Sequence, residues 1–540
     1  MSQALIVGVN RENEVDGGYY SGGNRTKEVP VRLNGILIAG LIGLVLSGCG
    51  EHSQNARVHG AASGVETGVE TGVETGVAAV PSAIEYVTDV PLIEEAMLSA
   101  SFWQQRVQND ALRMNLSQIQ QFNTTNFNRG DYLNNLDEFP QHLSQQKVIE
   151  LIDGVSRPAS APRFFADGSA VTEADYAALD SAVQRQQVPA EVAVRWGLVV
   201  ARASMRSYPT FTRVFKNVDD QDLDRFQETG VFPGQRLAIL HESADGEWWF
   251  AVNYHYAAWL PKDAVVLGDK HAIDNWFHQT PRLTVTGAQV HTNFNPQDRR
   301  TSRVTLDMGV TLPLMSAEEV GHKVNGQNPH ASHIVSLPVR GESGALEFVP
   351  TLIARGQDVN AGPLSYHPTL VLQQAFKFLG ERYGWGHDYN GRDCTGFVGE
   401  VYKSFGIVMP RNSGQQGKSA FAPTRTFAEG DDQARREALA SLSVGDLIYI
   451  PGHVMMYLGE VDGEPYVIHD VTGLSYYDTR GTLDTRDTRD THGTGESADN
   501  AEKVFYRGTL SGVSVTPLTP LYLNREKSFV DGIYAIKSII

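Results

Sequence analysis

A cysteine nucleophile needs a base to take its proton and a place in the fold that tolerates negative charge. Cys394 is the residue in this chain best placed for that chemistry. It is one of only two cysteines in 540 residues. It follows a turn-rich run, Tyr383-Gly-Trp-Gly-His-Asp-Tyr-Asn-Gly-Arg392, and precedes Phe397, Val398, Val401, Tyr402 and Phe405, whose spacing puts them on one helical face. The thiol is therefore expected at a helix N-terminus, where unpaired N–H groups and the helix dipole favour the thiolate. A lone cysteine is more often a small core residue. Two histidines downstream change that reading. His453 stands directly after a strand and a Pro451-Gly452 turn, and His469 lies in the next strand-like run. A base and a group that orients it are what a thiol nucleophile requires.

The elements that must hold these residues are legible around them. Ser443–Ile450, His453–Gly459 and Tyr466–Asp470 read as strands, the last two joined by an Asp462-Gly463 turn. Pro368–Leu379 reads as a further helix. A helix carrying the nucleophile on an antiparallel sheet carrying histidines is a papain-like α+β arrangement. The hairpin register resists one detail. If Asp462-Gly463 centres a two-residue turn, position 453 pairs with 472, and His469 falls three residues away on the opposite face. A bulge or a longer loop would bring it back. Otherwise Asp470 has the correct parity to be the third member.

The totals exclude several classes. A chain of 540 residues suggests roughly three or four domains. A net charge of −18 argues against a nucleic-acid surface. Two cysteines leave no disulfide framework and no resolving thiol for redox work. The 16 histidines contain no His-Glu-x-x-His pattern, so no metal site and no cofactor are expected.

In chain order, Arg25, Lys27 and Arg32 precede an apolar run, Leu33–Leu46, followed by Ser47, Gly48 and Cys49. A basic flank, a short apolar stretch and small residues describe an export signal, too short to span a membrane. Leu46-Ser-Gly-Cys49 resembles a bacterial lipobox, which implies lipidation of Cys49, membrane anchoring and, with Gly50 following, the periplasmic face of the outer membrane in a cell with two membranes. Residues 1–49 are thus a signal and lipobox segment. Residues 50–90 carry Gly-Val-Glu-Thr repeats and read as a flexible tether. Residues 91–195 form a mainly helical N-terminal domain, with helices expected over 91–107, 143–153 and 172–187 and a helix start at Ser144. Residues 196–270 show short strands with turn signals between them. They resemble a bacterial SH3 (SH3b) barrel, Tyr256-Ala-Ala-Trp259 matching that family's Tyr-x-Gly-Trp. Residues 271–357 repeat the rhythm and read as a second, divergent SH3b-like barrel.

Residues 358–540 carry the ordered motifs Tyr383-Gly-Trp-Gly, Asp393-Cys-Thr-Gly-Phe397, Pro410-Arg-Asn-Ser413, Gly445-Asp-Leu447, His453-Val-x-x-Tyr-Leu-Gly459 and Ile468-His469. Together these resemble the NlpC/P60 cysteine peptidases, in the multidomain form with SH3b units. The resemblance implies hydrolysis of the γ-D-glutamyl–diamino-acid bond (diaminopimelate or Lys) in peptidoglycan stem peptides. Cys394 is the implied nucleophile, His453 the base, His469 the orienting residue and the Tyr383 hydroxyl an oxyanion donor beside the Cys394 N–H. Asp393, Ser413 and Tyr256 match the residues that bind the free amine of an N-terminal L-Ala. Thr395 replaces the family's usual serine, and His387 replaces a common glycine. Rival readings are an inert wall-binding lipoprotein and an acyltransferase on the same Cys/His core.

Overall fold

The computed structural model describes residues 86–478 and 504–540. Cys49 and its lipobox, residues 50–85 of the tether and the Asp-Thr-Arg repeats at 484–489 lie outside the described residues. Among the described residues no helix is long and apolar enough to cross a membrane.

The C-terminal region is built on a six-stranded sheet in the order Thr424–Thr426, Ala535–Lys537, Leu447–Ile450, His453–Val461, Glu464–Asp478, Val504–Pro517. All neighbours are antiparallel. The central strands are apolar nearly throughout because both faces are covered. Val454, Met456 and Ile468 pack with Phe397, Val398, Val401 and Tyr402 of the helix Cys394–Lys403 and with Val371 and Leu372 of the helix Pro368–Phe376. Met455, Tyr457 and Val467 face the other side, against Leu518, Phe529 and Ile533. The helix stripe expected from the sequence is fully buried, Phe405 included.

The expected first barrel is a seven-stranded antiparallel sheet from Arg195 to Gly268. Its strand Trp248–Val252 is buried at every position, and Trp259, opposite Phe250 on the neighbouring strand Ala257–Pro261, is buried too. Beyond it, the strands expected over 282–349 are present, hydrogen-bonded in three small sheets. These are Thr311–Pro313 with Arg282–Val285 and Val359–Ala361, Gln289–His291 with Thr305–Asp307, and Ser332–Arg340 with Leu346–Ala354.

The helical stretch before the barrel divides between the two cores. Met97, Trp103, Met114 and Ile119 join the core of the C-terminal six-stranded sheet, whereas Leu143, Val148, Leu151, Ile152 and Val183 join the barrel core. Two of the helices lie where the periodicity puts them, Gln145–Val155 with Ser144 as N-cap and Glu173–Val183. The stretch 91–107 holds only Glu95–Leu98 and Ala100–Gln104. The long helix Leu116–Arg129 was not expected. Its apolar face is sparse, since Leu116 is exposed, but Asn115 and Gln118 form a capping box that the sequence displays.

Candidate active site

Cys394 is the first residue of its helix, and Asp393 is the N-cap: Asp393 Oδ1 accepts the Gly396 N–H at 2.7 Å. The thiol lies against the sheet where the hairpin ladder has not yet begun. Pairing between the strands at 453–461 and 464–478 starts at Met456 with Ile468. Ahead of that pair, the backbone N–H of Val454 faces the Cys394 sulfur. Cys394 therefore sits beside the residue that follows His453.

His453 Nε2 lies 2.8 Å from His469 Nδ1. A bulge reverses the parity that would put His469 on the opposite face. Val461 pairs with Glu464 and Gly459 with Tyr466, but Tyr457 pairs with Val467, so the register shifts across Leu458. Continued through that shift, position 453 falls opposite 471, and His469 returns to the face of His453. Gly459 permits the shift with φ +150°, a conformation that favours glycine. Its place within a strand-like run was the available signal. Asp470 accordingly shares the helix-facing side with Ile468. It is fully buried, and neither carboxylate oxygen has a hydrogen-bond partner among the described residues. Burial, with Asp393 and Glu381 nearby, holds its carboxyl well above the usual carboxylate range.

The thiol and the imidazole both rest uncharged. Burial pushes the Cys394 thiol up to about 12, and the Asp393 charge adds to this, against the Val454 N–H. Burial lowers His453 to about 4, with Asp393 pulling the other way. His469 is lowered too, by burial and by His453. The helix terminus expected to favour a thiolate is thus outweighed by burial and by the carboxylate one residue away.

Asp393 is engaged on both oxygens. Oδ1 accepts from Gly396 N, from Thr395 Oγ1 at 3.0 Å and from Arg411 Nη1 at 3.1 Å. Oδ2 accepts from Gly386 N at 3.1 Å and from Arg411 Nη2 at 2.7 Å. Burial alone would raise this carboxyl; the Arg411 guanidinium overrides it and holds it at about 2. Arg411 also donates to Thr229 Oγ1 at 2.6 Å, tying the site to the barrel strand Gln227–Val231.

His387 occupies a left-handed position, φ +67°, that suits the glycine it replaces. Its ring is anchored in compensation. Nδ1 faces two donors, Arg411 Nη2 at 3.2 Å and the Gly230 N–H at 3.3 Å, so Nδ1 accepts. Nε2 then carries the hydrogen and donates to Glu400 Oε1 at 3.1 Å. Glu400 in turn accepts from Arg392 Nε at 2.7 Å. Arg392, wholly buried, reaches Glu381 at 2.7 Å and Asp307 at 2.9 Å. One buried network thus runs from the Asp393 cap to the sheet that precedes this domain.

Tyr256 is buried, and its hydroxyl donates to Glu228 Oε2 at 2.5 Å. Glu228 abuts the nucleophile loop: a Cβ on Gly386 would lie 3.1 Å from the Glu228 backbone. Sequence reasoning passed over Glu228, because a charged residue in a barrel strand carries no motif. Ser413 is half-buried at the start of the helix Ser413–Lys418, and its carbonyl accepts from Tyr534 at 3.3 Å. Tyr534 was also missed. Burial raises its phenol to about 12, and the proximity of Cys394 adds to that. Tyr383 is buried close enough to Cys394 that a thiolate there would raise its phenol further.

Comparisons with known proteins identify two domains in the chain. Residues 380–486 match the NlpC/P60 family model, and residues 209–261 match an SH3 domain of the SH3b1 type. A γ-D-glutamyl-L-lysine dipeptidyl-peptidase of Bacillus cereus is 25% identical over 255 residues, covering 43% of this chain and 65% of that protein. The bifunctional muramidase/DL-endopeptidase CwlT of Bacillus subtilis is 24% identical over 238 residues, 41% of this chain and 62% of its own length. The chain therefore spans just under two thirds of the length of each of these relatives. In fold, an NlpC/P60 endopeptidase of Photobacterium damselae subsp. piscicida superposes with a TM-score of 0.60 at 16% identity, covering 79% of this chain and 94% of that one. Residues 380–486 thus carry an NlpC/P60 domain, preceded by an SH3b domain at 209–261, in a multidomain chain whose fold neighbour is an NlpC/P60 endopeptidase.

Proposed function

We propose that the protein is a cell-wall peptidase that hydrolyses the γ-D-glutamyl–diamino-acid bond of peptidoglycan stem peptides bearing a free N-terminal L-Ala. The observation that carries this reading is the hydrogen-bonded His453–His469 pair next to a thiol at a helix N-terminus. With His453 Nε2 engaged by His469, Nδ1 is the atom left to take the thiol proton. The sulfur of Cys394 attacks the amide carbon as its proton passes to His453, since neither group is charged at rest. The oxyanion is held by the Cys394 N–H, which has no carbonyl partner in the first helical turn, and by the Tyr383 hydroxyl. His453 then protonates the leaving amine, and water hydrolyses the thioester with His453 as base.

The amine of the substrate is assigned to Asp393, Ser413 and Tyr256, together with Glu228. Arg411 is paired with Asp393, and Glu228, which accepts the Tyr256 hydroxyl, adds a second carboxylate to the pocket. The name of the Bacillus cereus relative, a dipeptidyl-peptidase, supports release of a dipeptide. Mass spectrometry of the purified protein with L-Ala-γ-D-Glu-meso-diaminopimelate, beside the same peptide acetylated at its N-terminus, tests the reading. Release of L-Ala-γ-D-Glu is expected from the free peptide only. Glu228→Gln should lose roughly 10- to 100-fold in kcat/KM on that peptide, the scale of a charged hydrogen bond. Equal cleavage of both peptides removes the amine pocket and keeps the peptidase. Cleavage of neither by folded protein returns the wall-binding or acyltransferase reading.

Export and lipidation at Cys49, with the 50–90 segment as tether, complete the proposal. On this reading Cys49→Ala moves the protein from the membrane fraction to the soluble one, and retention in the membrane fraction removes the anchor.

A further inference from the structure

The strand Val504–Pro517 borders the hairpin and adds one more polar group to the catalytic line. His469 pairs with Ser514 and Val467 with Thr516, so Thr516 lies one diagonal step from His469 on the same face. Its Oγ1 is 3.0 Å from His469 Nε2, and both residues are buried. Through His469 the hydroxyl is connected to His453 Nε2.

We propose that Thr516 is a positioning residue that sets the tautomer of the two histidines. This rests on the assignment of His453 as the base. A base at His453 Nδ1 must keep its lone pair there, so the resting hydrogen sits on Nε2 and is donated to His469 Nδ1. His469 then carries its own hydrogen on Nε2, in a buried site where that N–H needs an acceptor. Thr516 Oγ1 is the acceptor. Without it, His469 loses its reason to hold the hydrogen on Nε2. With the hydrogen on Nδ1 instead, His469 faces His453 as a donor, and His453 must protonate Nδ1, the atom that has to stay free. Both members of the pair would be in place and in the wrong protonation pattern.

Thr516→Val and Thr516→Ser separate this role from packing. Valine keeps the shape and removes the hydroxyl; serine keeps the hydroxyl and removes a methyl group. For the full chain acting on the free stem peptide, Thr516→Val should lower kcat about 10- to 100-fold, the scale of other orienting partners, with KM unchanged. Thr516→Ser should stay near the parent value. A packing role predicts the reverse order, and an unchanged kcat in Thr516→Val overturns the inference. Neutron diffraction of the resting protein gives a readout independent of activity. A hydrogen on His469 Nε2 is expected, and one on Nδ1 overturns the proposal. If Cys394→Ala remains active, the reading of the site fails, while the hydrogen position still decides the tautomer.

Discussion

Arg411→Met is expected to destabilise the protein by about 3–5 kcal/mol, as breaking a buried ion pair from one side does. Arg411 is buried, and its guanidinium is spread over Asp393, Thr395, Thr229 and the His387 ring. Methionine fills much of the volume and provides none of the donors. Asp393 is left as a buried carboxylate with only its backbone and Thr395 partners, and it must either carry an uncompensated charge or take a proton. A drop in thermal midpoint on the order of 10 °C follows for a domain of this size. The double variant Asp393→Asn with Arg411→Met should recover part of the loss, because asparagine keeps the N-cap without the charge. If the double variant is no more stable than Arg411→Met, the charge is not the source of the loss. The pair also sets an acid limit. Asp393 is depressed from 3.8 to about 2, so its contribution is full above the unfolded carboxylate value and is lost as pH falls through about 2.

Cys394→Ala and His453→Ala should each lower kcat/KM by on the order of 10⁴ or more, and the double variant should lose little beyond either single one. The sulfur and the imidazole act in one proton transfer, so removing either removes the same step. Both variants should fold, since Cys394→Ala leaves a small apolar residue at a helix start. The pH profile follows from the same burial. Burial depresses His453 to about 4, so the base keeps its lone pair through the neutral range, and kcat/KM falls only as pH drops through about 4. The thiol, raised to about 12, sets no limb at neutral pH. A rate that already declines between pH 7 and 6 would show that the imidazole is not desolvated in the working enzyme.

What could be read from the chain is what depends on neighbours in sequence. The stripe Phe397 to Phe405, the three strands around His453 and the Ser144 cap each follow from spacing within a few residues, and all three are present. The helix Leu116–Arg129 escaped because its apolar face is thin and it is held by packing on another core. The SH3b match at 209–261 and the NlpC/P60 match at 380–486 fall on stretches whose motifs stand in order along the chain.

The sequence by itself determined which residues have the chemistry: one thiol at a predicted helix start, two histidines on strands and the Asp-Cys and Pro-Arg motifs around them. Only the tertiary structure decided how they are used. One bulged residue at 458 reversed the parity of His469 and Asp470, because side chains alternate and a single insertion inverts every later position. Burial, which no local pattern shows, outweighed the helix terminus and left both thiol and imidazole neutral. Arg411, Glu228 and Thr516 reach the site from three distant stretches of chain, so their roles exist only once the barrel, the nucleophile loop and the last long strand are packed together.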